Sequence, residues 1–133
     1  MISKTVTYTD YNGDVVTEKF YFHLSKADLT RREISEDGGF SERLKLIAQN
    51  PKAKDIVEVL DDILVHSYGV KSEDGKTFRR LKEPEAFMYH PAYDSIFMEL
   101  VNDADKFMAF MKGILPADLA AEAEKQITDI PKP

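Results

Sequence analysis

The sequence predicts an α+β fold, with an N-terminal β-hairpin over about residues 2–24, a small second hairpin over about 70–79, and a mainly α-helical body of four to five helices. Ile2, Val6, Tyr8, Val16, Phe20, Phe22 and Leu24 all occupy even positions, the period of strands with one buried face. From Ser25 onward apolar residues recur instead at helical spacing. Around Glu73-Asp74-Gly75 that spacing lapses at a second turn signal.

In the first hairpin the loop decides the register. Asn12-Gly13 invites a two-residue type I′ turn, but that turn pairs Val6 with Lys19 and sets even positions beside odd ones. A three-residue loop, Tyr11-Asn12-Gly13, pairs Tyr8 with Val16 and Lys4 with Phe20, with Asp10 opening a type I turn and Gly13 left-handed. That register gathers the large apolar side chains on one face. Ser25 is then an N-cap with Asp28 three residues on, a carboxylate capping box, and a helix of about ten residues follows. It stops near Asp37-Gly38-Gly39. A second short helix resumes at Phe40 or Ser41, with Leu44, Ile47 and Ala48 inward. Asn50-Pro51 repeats a start signal for a helix from Pro51 to Tyr68, striped by Ile56, Val59, Leu60, Ile63 and Ser67 and closed by Gly69.

In the second hairpin Gly75 serves as the bulge and Val70 faces Phe78. Glu83-Pro84 opens a helical piece through Phe87, Met88 and Tyr89, which His90-Pro91 interrupts. One long helix of about twenty residues then runs from Ala92 to Lys112, striped by Tyr93, Ile96, Phe97, Leu100, Ala104, Phe107, Met108 and Met111. Residues 1–116 read as a single α+β domain. Residues 117–133 read as a weakly held helical or disordered tail, ending Pro-Lys-Pro.

Eighteen Lys and Arg against 24 Asp and Glu leave a net charge of −6, which repels phosphate backbones and disfavours nucleic acid as a partner. The basic cluster Lys71, Lys76, Arg79, Arg80 and Lys82 has acidic neighbours and reads as a solvated loop face. With no cysteine, disulfides, thiolate metal sites and cysteine nucleophiles are excluded. No apolar run reaches the length of a membrane span, and Met1-Ile2-Ser3-Lys4 leads into the first strand without a signal-peptide core, so the expectation is a soluble cytoplasmic protein without a membrane partner.

Asp62 and His66 lie four apart on one helix face, a spacing that can chelate a metal but more often marks a structural ion pair. Carboxylate pairs such as Asp61-Asp62 and Asp103 with Asp105 arise by chance among so many acids. There is no nucleophile elbow, phosphate-binding loop or dinucleotide fingerprint. A non-enzymatic protein without metal or cofactor is expected. The unusual feature is hydrophobic: Met88, Met98, Met108 and Met111 crowd together with Phe87, Phe97, Phe107 and Phe110. On one continuous helix Met98 and Phe110 flank the buried stripe, where flexible thioethers and rings suit varied partners. Phe87, Met88, Met98, Phe107, Phe110 and Met111 are therefore the candidate partner-binding residues, with core packing or cover by the tail as the competing account.

The order of motifs carries a resemblance. An Asn-Gly hairpin is followed by Leu24-Ser25-Lys26-Ala27-Asp28-Leu29 and Asp37-Gly38-Gly39. Then come the stretch from Ser67-Tyr68-Gly69 to Lys76-Thr77-Phe78, the helix through Phe97-Met98-Glu99-Leu100, and Phe110-Met111-Lys112-Gly113-Ile114-Leu115-Pro116. Over about residues 2–116 this resembles the tail assembly chaperones of long-tailed, siphovirus-type bacteriophages and prophages of Gram-positive bacteria. The resemblance implies a non-enzymatic protein of the host cell cytoplasm, absent from the mature virion. It implies binding and solubilisation of the tape measure protein during tail-tube assembly, with self-association into multiple copies. It further implies a longer frameshifted form that contacts the tail-tube protein, with this chain as the short form. No catalytic or metal residue comes with the family. The alternative is a small structural tail or connector component of the virion.

Overall fold

A computed structural model describes residues 1–50 and 52–114, with the backbone alone at residue 48. The expected tail over 117–133 and the domain boundary at residue 116 lie outside the described residues, as does Pro51. The chain forms one antiparallel sheet of β1 (Ile2–Thr9), β2 (Val15–Phe22), β3 (Tyr68–Lys71) and β4 (Phe78–Arg80), in that spatial order. Helices α1 (Lys26–Ser35), α2 (Phe40–Gln49) and α3 (Ala53–Ser67) separate β2 from β3. A 3-10 segment (Pro84–Tyr89), α4 (Ala92–Val101) and α5 (Ala104–Ile114) follow the sheet. The α+β class with its N-terminal hairpin and helical body is as expected.

The first hairpin takes the register that its side chains require, with Tyr8 opposite Val16 and Lys4 opposite Phe20. Gly13 has φ 86°, and its N–H donates to the Asp10 carbonyl at 3.0 Å. The Asp10 carboxylate also accepts from the N–H groups of Asn12 and Asp14, so the turn is held by its own first residue. The capping box is complete as well. Ser25 Oγ accepts from the Asp28 N–H, and Asp28 Oδ2 accepts from the Ser25 N–H at 2.8 Å.

Four features differ from the sequence reading, each for a physical reason. First, the two hairpins are joined into one sheet, because Tyr21 pairs with Gly69 and Phe22 with Tyr68. Gly69 therefore does not close α3; it lies inside β3, where a Cβ would sit 2.6 Å from the Phe78 ring and 2.9 Å from the Arg79 carbonyl oxygen. Gly69→Ala should destabilise the domain by about 1–3 kcal/mol through this overpacking, read as a lowered urea midpoint. An unchanged midpoint would contradict it.

Second, the smaller hairpin pairs Lys71 with Phe78 and Val70 with Arg79, one residue away from the expected register. Its loop has four residues, because the Ser72 N–H donates to the Thr77 carbonyl and the Asp74 carboxylate accepts from Ser72 Oγ and the Lys76 N–H. Val70 is exposed. Third, Asn50 ends α2 through its N–H to the Leu46 carbonyl, and α3 begins at Ala53 after Lys52, with no side-chain cap.

Fourth, the long helix is two. Asn102 closes α4, and the Asp103 carboxylate accepts from the N–H groups of Asp105 and Lys106 at 3.0 and 3.1 Å, capping α5. A short polar side chain that can bond its neighbouring backbone outcompetes the helix running through it. The break rotates α5 relative to the extrapolated stripe, leaving Ala104 exposed and turning Phe110 inward.

The core lies between the inner sheet face and the helices. Phe20 and Phe22 from the sheet, with Leu24 just beyond β2, meet Leu60, Ile63 and Leu64 from α3. Phe87, Ile96, Leu100, Phe110 and Ile114 close it from the other side. Phe87 stacks on Tyr68 with ring centres 4.0 Å apart, and Phe22 meets Phe110 edge-on at 5.2 Å.

Candidate interaction surface

The six candidate residues divide sharply. Phe87 and Phe110 are each 1% exposed and Met111 is buried with them, so these three belong to the core and offer no surface in this fold. The expectation that Phe110 flanks the buried stripe is corrected by the break at Asp103. Phe107 is half-buried against the core. Met88 and Met98 are 39% and 52% exposed and stand outside it.

Two local devices present Met88 and Met98. In the 3-10 segment, tight winding sends Phe87 inward and leaves Met88 and Tyr89 outward. At the start of α4, His90 Nδ1 accepts from the Ala92 N–H at 3.0 Å while its ring meets Tyr8 and Phe20 edge-on. His90, one residue before the N-cap Pro91, thus takes up the first N–H of α4 while aromatic packing fixes its ring, a role that sequence reading missed. With α4 so placed, Tyr93, Ile96 and Leu100 point inward and Asp94, Ser95 and Met98 outward. The Tyr93 hydroxyl donates to Asp61 at 2.6 Å, and burial together with that carboxylate pushes its pKa up. Lys4 bonds Glu99 at 3.0 Å, tying α4 to β1.

The segment that carries Met88 and Met98 is rich in acid, with Glu99 beside Met98 paired to Lys4 and Lys106. From Glu83 to Asp105 there is no Lys or Arg, against six carboxylates, Glu83, Glu85, Asp94, Glu99, Asp103 and Asp105.

A second surface feature is a polar cleft of about 360 Å³ lined by Leu24, Asp28, Arg31, Arg32, Ser35, Glu36, Asp62, His66 and Arg80. Arg32 grips Asp62 with two hydrogen bonds of 2.8 and 3.1 Å, Arg43 reaches the same carboxylate at 3.3 Å, and His66 Nδ1 lies 3.0 Å from it. Asp62 and His66 therefore form part of a structural ion-pair network. Among the described residues no group of three or more His, Asp or Glu is arranged to hold a metal. Arg80 also departs from the solvated-loop reading, since it donates to Asp28 Oδ2 and to the His23 carbonyl, both at 2.7 Å. The cleft balances three arginines against three carboxylates, and its work is to fasten α1, which buries no side chain completely.

Burial alone would raise the Asp28 carboxyl, but the Arg80 guanidinium and the Ser25 donors outweigh it and hold the pKa down at about 2. Asp62 is lowered too, against its burial, by Arg32 and then His66 and Arg43. A depressed folded pKa means stability that is present above the ordinary 3.8 and lost as pH falls through the folded value. Asp28 should thus contribute roughly 2 kcal/mol at neutral pH that vanishes between about pH 4 and 2, seen as acid unfolding by circular dichroism. In Asp28→Asn that part of the acid dependence should disappear; an identical acid profile would contradict the assignment.

Among the described residues no helix is long and apolar enough to cross a membrane. A family model described as phage tail assembly chaperone matches residues 1–132. The chain belongs to the phage tail assembly chaperones. Comparisons with curated proteins and with solved structures find no match. The match spans the sheet, the cleft and both exposed methionines, Met88 and Met98, so the whole described fold is the chaperone unit. Tail assembly chaperones are assembly factors and not a known class of enzyme.

Proposed function

We propose that this tail assembly chaperone binds the tape measure protein and keeps it soluble while tail-tube subunits polymerise around it. The family match over residues 1–132 carries the reading. A long apolar client is held in solution by many weak, sequence-tolerant contacts, whose repetition along one chain supplies avidity. The exposed thioethers of Met88 and Met98 fit such contacts, and the net charge of −6 keeps a loaded complex dispersed. The protein acts in the cytoplasm of the infected host and leaves before the virion is complete. The phage is of the long-tailed type, infecting a Gram-positive host, and a frameshifted longer form brings the tail-tube protein to the complex.

Deleting the gene from the phage tests this in the infected cell. The tape measure protein should move from the soluble to the pelleted fraction and return when the chain is supplied in trans. Mass spectrometry of wild-type particles should find no copy of the chain. A tape measure protein that stays soluble without it, or stoichiometric copies in the particle, would overturn the proposal.

A further inference from the structure

The strands present a basic outer sheet face. Strand alternation places Thr5, Thr7, Thr17, Lys19, Tyr21 and Lys71 on it, and no Asp or Glu of the four strands points to that side. Tyr21 lies between two ammonium groups, with Lys19 Nζ 6.0 Å and Lys71 Nζ 5.8 Å from its ring centre. In a chain of net charge −6 such a face is a local inversion of the field, and its tyrosine ring and threonine methyl groups add apolar area. The chain leaves the described fold at the edge of this face. The Ile114 carbonyl accepts from the Leu24 N–H at 2.9 Å, and Gly113 sits so close to Ile2 that a Cβ would lie 2.6 Å from its Cδ1. Ile2 pairs with Phe22, and the next pair along, Ser3 with Tyr21, points to the outer face.

The sequence that follows complements this face. Residues 115–130 hold four carboxylates, Asp118, Glu122, Glu124 and Asp129, against the single cation Lys125. At helical spacing Leu119, Ala123, Ile127 and Ile130 form one apolar stripe, with Asp118, Glu122 and Asp129 along one flank of it. Wound in that way the segment is about 24 Å long, close to the ~26 Å of an eight-residue strand. We infer that residues 117–130 dock in cis on the outer sheet face of their own chain. The apolar stripe lies on Tyr21 and the threonine methyl groups, and the acidic flank meets Lys19 and Lys71. Charge complementarity and the exit point beside Tyr21 select this occupant. Tethering gives the segment a high effective concentration at the face, so individually weak contacts hold it. Seated there, it closes the face to other acidic partners, and salt loosens it. The inference concerns the free chain and stands apart from the tape measure reading.

Because the chain has no cysteine, a nitroxide attached to Thr128→Cys, on the side away from the apolar stripe, reads the contact in the full chain. Its unpaired electron should broaden the amide NMR signals of Thr5, Thr17, Lys19 and Tyr21 and spare those of Ser95 and Met98 on α4, and high salt should restore the broadened signals. Asp118→Lys with Glu122→Lys, which alters only the tail, should abolish the broadening, and so should Lys19→Glu with Lys71→Glu. The chain carrying all four reversals restores complementarity and should regain the broadening, which a folding defect would not allow. In an equal mixture of nitroxide-bearing chain without isotope and isotope-labelled chain without nitroxide, the broadening should be absent. Broadening as strong in that mixture would seat the tail of a second copy on the face and overturn docking in cis. No broadening within one chain, broadening centred on another surface, or reversals without effect would overturn it as well.

Discussion

Phe87→Ala should bring the domain close to unfolding, whereas Met88→Ala, one residue on, should leave it almost unchanged. The Phe87 ring is stacked on Tyr68 at 4.0 Å and 5°, meets Tyr93 edge-on at 5.4 Å, and lies about 6 Å from both Phe20 and Phe22. It joins the 3-10 segment, the sheet and α4 in one aromatic cluster, so truncation leaves a cavity that no single neighbour can fill. Removing a buried phenylalanine side chain costs about 3–5 kcal/mol, a large part of the 5–15 kcal/mol that stabilises a typical domain. The expected fall in Tm is roughly 10–20 °C by calorimetry. For Met88, half out in solvent, the loss should be below about 1 kcal/mol. Equal melting temperatures for the two variants would contradict the division of the methionine- and phenylalanine-rich stretch into core and surface.

Asp62→Ala should detach α1 and α2 while leaving the sheet and α4 folded. The substitution strips Arg32, only 14% exposed at its side chain, of its bidentate partner and leaves it with Glu36 at 3.7 Å and the Phe40 ring. Arg43 loses one of its two carboxylates and His66 loses its own. Breaking a half-buried pair from one side leaves an uncompensated charge, here about 2–4 kcal/mol. Because α1 buries no side chain completely, apolar packing does not replace what is lost. Hydrogen exchange should accelerate in α1 and α2 well before β1, β2 and α4. Uniform acceleration across the domain would show that the network is not what fastens this arm.

Features that depend on near neighbours were readable in the sequence. The first hairpin was fixed by alternation together with Asp10 and Gly13, and the α1 start by Ser25 and Asp28, because each partner lies within a few residues. Contacts across the chain were not readable. The pairing of Phe22 with Tyr68, which makes one sheet of two hairpins, leaves no local trace, and neither does the approach of Arg80 to Asp28. The break at Asn102-Asp103 was in plain view but masked by an apolar period that continued through it; capping chemistry won. That one error carried into the surface, since the phase of every residue after it changed and Phe110 moved from rim to core. Met98, before the break, was placed correctly.

Holding the tape measure protein is the role we propose for this chaperone. Co-expression of the full chain with the tape measure protein of the same phage, followed by purification through the client, tests it most directly. The expected result is a soluble client carrying many copies of the chain. A client that remains insoluble and is recovered without the chain would contradict it.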